Sequence, residues 1–120
     1  MLKRYVVLLL VLLAGCRGEY ASVEKIVPGG NAEAGRTAIA TYGCGSCHYI
    51  EGVRDANAYV GPPLMEYERR HYIAGNLPNT ADNLIYWIQF PQLVEPGTAM
   101  PDLNVTETDA RNIAEYLYNQ

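Results

Sequence analysis

Cysteine and histidine are scarce in this chain, with three of one and two of the other among 120 residues. A closed zinc site wants two ligand pairs. Beyond Cys44, Cys47 and His48 the sequence offers no second cysteine pair and a single further histidine, His71. Basic charge is also short, with 9 Lys and Arg against 13 Asp and Glu and a net charge of -4, which speaks against nucleic acid as a partner. The apolar run from Tyr5 to Ala14 is too short to cross a bilayer. No stretch alternates as a half-buried strand would, no internal repeat is present, and the length allows one domain at most.

What is present begins with that apolar run. Lys3 and Arg4 precede it and Leu13-Ala14-Gly15-Cys16 closes it, which are the flanks of a signal peptide. The ending resembles a bacterial lipobox, which implies cleavage before Cys16 and acylation of that residue; the plainer alternative is an ordinary secretory signal with a stray cysteine. Two or three acyl chains hold a protein on a membrane where a single chain does not. Removal of residues 1–15 takes Lys3 and Arg4 from the nine basic residues and leaves seven against 13 acids, a net of -6. Arg17 follows Cys16, so the aspartate that resembles an inner-membrane retention signal is missing. The expected organisation is a lipoprotein signal peptide over 1–15, a lipidated N-terminus and tether over 16–30, and one domain over 31–120. The tether rests on Gly18, Ser22, Pro28, Gly29 and Gly30.

The stretch around which the domain is organised is Cys44-Gly45-Ser46-Cys47-His48. Two thiols three residues apart can form thioether bonds to the two vinyl groups of one porphyrin, and the next residue then falls under the iron. A disulfide or a thioredoxin-like redox pair would fit two thiols, but the latter wants a βαβ context that this sequence lacks. With Cys16 assigned to lipid and Cys44 and Cys47 to one covalent haem c, no cysteine is left over.

The flanking pattern is helical. Asn31 suits an N-cap and Glu33 the first turn of a helix whose apolar face is Ala34, Ala38, Ile39 and Tyr42. Gly35 inside it costs about 1 kcal/mol relative to alanine, so a second helix is expected to approach closely there. Residues 49–64 read as a long irregular stretch with Gly52, Gly61, Pro62 and Pro63. A short helix is expected over Glu66–Ala74, ended by Gly75. A third, capped by Asn79 or Thr80, carries Leu84, Ile85, Trp87 and Ile88 and stops at Pro91. An extended loop around Met100 follows. Thr106-Glu107-Thr108-Asp109 then resembles a capping box before a last helix with Ala110, Ile113, Ala114 and Leu117.

These residues together resemble class I c-type cytochromes over about residues 31–119. The similarity looks closest to bacterial monohaem domains such as the haem-carrying tail of cytochrome oxidase subunit II. The leading helix with Gly35, the Cys44-to-His48 motif, Gly61-Pro62-Pro63-Leu64, Tyr72 to Asn79, Pro96-Gly97-Thr98-Ala99-Met100-Pro101 and the closing helix carry it. The resemblance implies an all-α cytochrome c fold, about four helices wrapped around one covalently bound haem, with the first and last helices crossing at Gly35 against Tyr116 and Leu117. It also implies that the Pro62 carbonyl accepts the second ring proton of His48.

His48 and Met100 are the candidate iron ligands. Met100 precedes a proline, which keeps it out of helical conformation, and a thioether raises the potential relative to a second imidazole. His71, the rival ligand, sits beside Arg69 and Arg70 and reads as a surface residue; Met65 reads as a filler of core gaps. Arg70, Tyr72 and Trp87 are candidates for the haem propionates, with Trp87 equally suited to the core. The chain is rich in tyrosine, 10 against 1 Phe, and tyrosines can line a haem pocket.

The resemblance then implies an electron carrier rather than an enzyme. It would sit on the outer side of a bacterial membrane, held by its lipid anchor. Its partners would be redox proteins: a quinol-oxidising complex, a terminal oxidase or a dehydrogenase. Three alternatives stand beside it: a non-catalytic subunit of a dehydrogenase or reductase, a gas sensor or peroxidase-like haem protein with a labile Met100, and a lipoprotein without haem.

Overall fold

The computed structural model describes residues 25–120; the expected signal peptide, Cys16 and most of the expected tether lie outside the described residues. Four α-helices build the domain: α1 Ala32–Thr41, α2 Ala81–Gln89, α3 Pro91–Val94 and α4 Glu107–Tyr118. Each long helix starts at a capping side chain. Asn31 accepts from the Ala34 amide at 2.9 Å, Thr80 from the Asn83 amide at 3.3 Å and Thr106 from the Asp109 amide at 3.1 Å, so an otherwise unpaired first-turn donor is satisfied at each end. In the Thr106 cap the Asp109 carboxylate also accepts from the Tyr42 hydroxyl at 2.8 Å, which ties the end of α1 to the start of α4.

The helix faces meet in one core: Ala38 and Ile39 from α1, Leu84, Ile85 and Ile88 from α2, and Ala110, Ile113, Ala114 and Leu117 from α4. Helix α1 crosses α4 at Gly35, as expected, but against Asn112 and Ile113 rather than Tyr116 and Leu117. A Cβ at Gly35 would lie 2.0 Å from the Asn112 carbonyl oxygen. The register follows from a bond the sequence does not announce, the Asn31 amide donating to the Asn112 side chain at 3.0 Å. Tyr116 points elsewhere, its hydroxyl donating to the Glu51 carbonyl at 2.6 Å.

Two local expectations are corrected. Residues 66–74 are not a helix. A single 3₁₀ turn, Tyr67–Arg69, leads into a small antiparallel hairpin of β1 Tyr72–Ile73 and β2 Leu77–Pro78. Ala74 and Gly75 both take positive φ and the Asn76 amide returns to the Ile73 carbonyl, the turn whose twist matches a hairpin. Pro91 does end α2, yet it also opens α3 as its first residue, where a missing amide hydrogen is harmless. At the other end of the domain, Lys25–Gly30 lies against the fold: Val27 is buried, and Arg111 donates to the Pro28 carbonyl at 3.1 Å.

The 67–70 turn is locked by a polar knot inside the core. Asn79 is buried and donates through Nδ2 to the carbonyls of Tyr67 (2.8 Å) and Arg70 (2.9 Å). Its Oδ1 accepts from the Tyr118 hydroxyl at 2.7 Å. Burial pushes the Tyr118 phenol far above its ordinary range, so it stays a neutral donor. Lys25 adds a bond to the Arg70 carbonyl at 2.9 Å. Asn79→Ala strands one hydroxyl and weakens two carbonyls in a buried place. It is expected to destabilise the domain by about 2–4 kcal/mol, read as a lower urea midpoint at unchanged slope. A midpoint equal to wild type would mean that the knot contributes nothing to stability.

Candidate functional site

The cysteine motif folds as a 3₁₀ turn, Cys44–Ser46, entered through left-handed Gly43. The Cys47 and His48 amides both donate to the Cys44 carbonyl, at 3.2 and 3.0 Å. The turn thus brings two half-buried thiols and the imidazole onto one compact loop. Both cysteines are free. Burial raises the Cys44 thiol above its usual range.

The 49–64 stretch is irregular but pinned. Tyr49 pairs with Asn57 across an isolated bridge and its ring stacks on Tyr59 with centroids 5.8 Å apart. The Gly61 amide donates to the Cys47 carbonyl and the Leu64 amide to the Tyr49 carbonyl, each at 2.8 Å. This folds the Gly61-Pro62-Pro63 segment over His48. The His48 Nδ1 lies 2.7 Å from the Pro62 carbonyl oxygen. A carbonyl only accepts, so Nδ1 carries the proton and Nε2 is the free lone pair. Gly61 leaves just enough room: a Cβ there would stand 2.4 Å from His48 Cε1. A backbone cradle with no space for a side chain holds the ring and leaves Nε2 free. Two thiols on the same turn complete a donor set that fits a covalently attached haem.

Arg70 also reaches this segment. Its guanidinium donates to the Pro63 carbonyl and lies over the Tyr67 ring at 4.6 Å. Tyr72 is 60% exposed on β1 and Trp87 is half-buried against the core on α2. Of the three propionate candidates the structure therefore brings Arg70 to the loop over His48. His71 is exposed, as a surface residue should be. Met65, expected to fill a core gap, is exposed as well.

Met100 is half-buried in the loop between α3 and α4. The residue that sequence reading misses here is Gln92 on α3. Its side chain spans the loop, and no local motif marks a glutamine that bonds residues five to eight positions ahead. Asn79 reads in the sequence only as a possible helix cap; its buried role depends on the distant Tyr118, which sequence order hides.

The family model described as Cytochrome c matches residues 32–120. The cytochrome c oxidase subunit 2 of Alkalihalophilus pseudofirmus is 33% identical over 87 residues, covering 72% of this chain and 25% of that protein. The chain thus spans about a quarter of the length of the curated relative it matches. No solved structure matches.

Proposed function

The chain belongs to the cytochrome c family, with its covalent haem c and its electron-carrying role, and on that premise we propose a His48/Met100-ligated, lipid-anchored carrier that passes single electrons toward a terminal oxidase. The observation that carries the proposal is the 2.7 Å contact of His48 Nδ1 with the Pro62 carbonyl, which leaves Nε2 free for a metal one residue after the paired thiols. When bound, haem c supplies a one-electron iron couple.

In this reading Cys44 and Cys47 would hold the haem through two thioether bonds. His48 would hold the iron through Nε2, and the Pro62 carbonyl keeps the ring oriented and makes it a better donor. Met100 would be the second side chain to hold the iron, its soft sulfur favouring the reduced state. Arg70, held at the loop over His48, would face the propionates. With His48 and Met100 both committed to the iron, a substrate would have no open position there, which favours a carrier over a sensor or peroxidase. Similarity to an oxidase subunit supports the terminal oxidase as the electron acceptor. The Leu13-to-Cys16 sequence supports a lipid anchor on the outer side of a bacterial membrane.

The discriminating experiment mixes carbon monoxide with the reduced protein at neutral pH. Wild type is expected to bind none within seconds. Met100→Ala is expected to bind at once and to lose potential by on the order of a hundred millivolts, a fraction of the range that axial ligands span. Rapid binding by wild type would favour the gas-sensor reading.

A further inference from the structure

We infer that Gln92 is the positioning residue for the Met100 sulfur, a role that rests on Met100 being the second axial ligand. Gln92 stands on α3, whose first residue, Pro91, is fully buried. Its backbone is thus anchored in the core while its side chain extends over residues 97–100. Nε2 donates to the carbonyls of Thr98 and Met100, each at 2.8 Å. Oε1 accepts from the Gly97 amide at 3.3 Å. The amide orientation is forced, because turning it over would set its oxygen against two carbonyls and its nitrogen against an N–H.

The consequence is geometric. The loop has few ties of its own: the Thr98 amide donates to the Glu95 carbonyl at 3.0 Å and the Met100 amide to Thr98 Oγ1 at a long 3.4 Å. Gly97 takes a φ of +85°, and a Cβ added to it would meet nothing within 4 Å, so packing does not hold it. One planar amide therefore grips the loop at three points on both sides of Ala99. It fixes the Met100 carbonyl directly, and with it the direction in which the Met100 side chain leaves the backbone. Prolines 96 and 101 restrict the loop's dihedrals, while Gln92 fastens it to the core through α3.

The role goes beyond stability. A loop freed from Gln92 would keep Met100 in sequence but lower the fraction of time its sulfur is held at bonding distance. Loss of two neutral hydrogen bonds corresponds to a change of roughly tenfold or more in that open fraction.

The test uses the ferric holoprotein and free imidazole, which enters only when the sulfur lets go. Three variants are compared with wild type. Gln92→Ala removes all three contacts. Gln92→Glu keeps the length and the acceptor for Gly97 but has no donor for the two carbonyls. Tyr42→Phe loosens the clasp on Asp109 and Thr106, at the far end of the α3–α4 loop from Gln92. Imidazole association is expected to be about tenfold faster in both Gln92 variants, with a weakened sulfur-to-iron charge-transfer band, and unchanged in Tyr42→Phe. An increase under roughly threefold in the Gln92 variants overturns the inference, as does an equal increase in Tyr42→Phe, which would mean general loosening. Wild type lacking the band would overturn the Met100 ligation and this inference with it. A wild-type band with unaffected Gln92 variants overturns the inference alone.

Discussion

Gly35→Ala is expected to cost this domain a large part of its stability. The added Cβ would lie 2.0 Å from the Asn112 carbonyl oxygen, 2.5 Å from its carbon and 3.0 Å from the Ile113 nitrogen. All three are backbone atoms of α4, so no rotamer change relieves the clash. Alanine gains about 1 kcal/mol in helix propensity over glycine, and this is the smaller term. Relief requires α1 and α4 to separate, which opens the contacts of Ala38, Ile39, Ile113 and Ala114 and breaks the Asn31–Asn112 bond. The net loss is expected to be about 3 kcal/mol or more, against the 5–15 kcal/mol that holds a typical domain. Denaturant unfolding followed by circular dichroism reads it. A midpoint within error of wild type would mean that the two helices do not cross there.

The second large effect belongs to the paired thiols. Cys44→Ala/Cys47→Ala is expected to carry no haem through a denaturing gel and to lose cooperative unfolding. Residues 43–64 hold few apolar anchors, with Ile50 and Ala56 the buried ones. Segments with so little core of their own depend on an organising centre. Exposed Tyr59 and Val60 sit in the same stretch, just before Gly61, which packs on the His48 ring. A sharp, native-like thermal transition in the haem-free variant would show that the polypeptide folds without its cofactor.

How much of this is legible in the sequence follows the range over which each signal acts. The Asn31, Thr80 and Thr106 caps are readable because cap and amide lie within three residues. The Cys44–His48 turn is readable because its chemistry is packed into five residues. Gly35 announces that something comes close, but which residue of α4 comes close depends on Asn112, 81 positions away from Asn31. The 66–74 segment misleads because Gly75 serves a helix end and a hairpin turn equally well; the Asn79 knot and the Ile73–Leu77 pairing decide it, and both are tertiary. Helix α3 is hidden by Pro91, which reads as a stop and is also a good first residue. Gln92 is invisible because a glutamine on a four-residue helix has no meaning until the loop folds back onto it.

Which atoms hold the iron is the central question, and one measurement addresses it directly: a potentiometric titration of the purified chain followed in the sulfur-to-iron charge-transfer band, for wild type beside Met100→Ala. A single one-electron wave whose oxidised form carries the band in wild type and lacks it in Met100→Ala is the expected outcome. A colourless protein, or a band that survives the loss of residue 100, would contradict it.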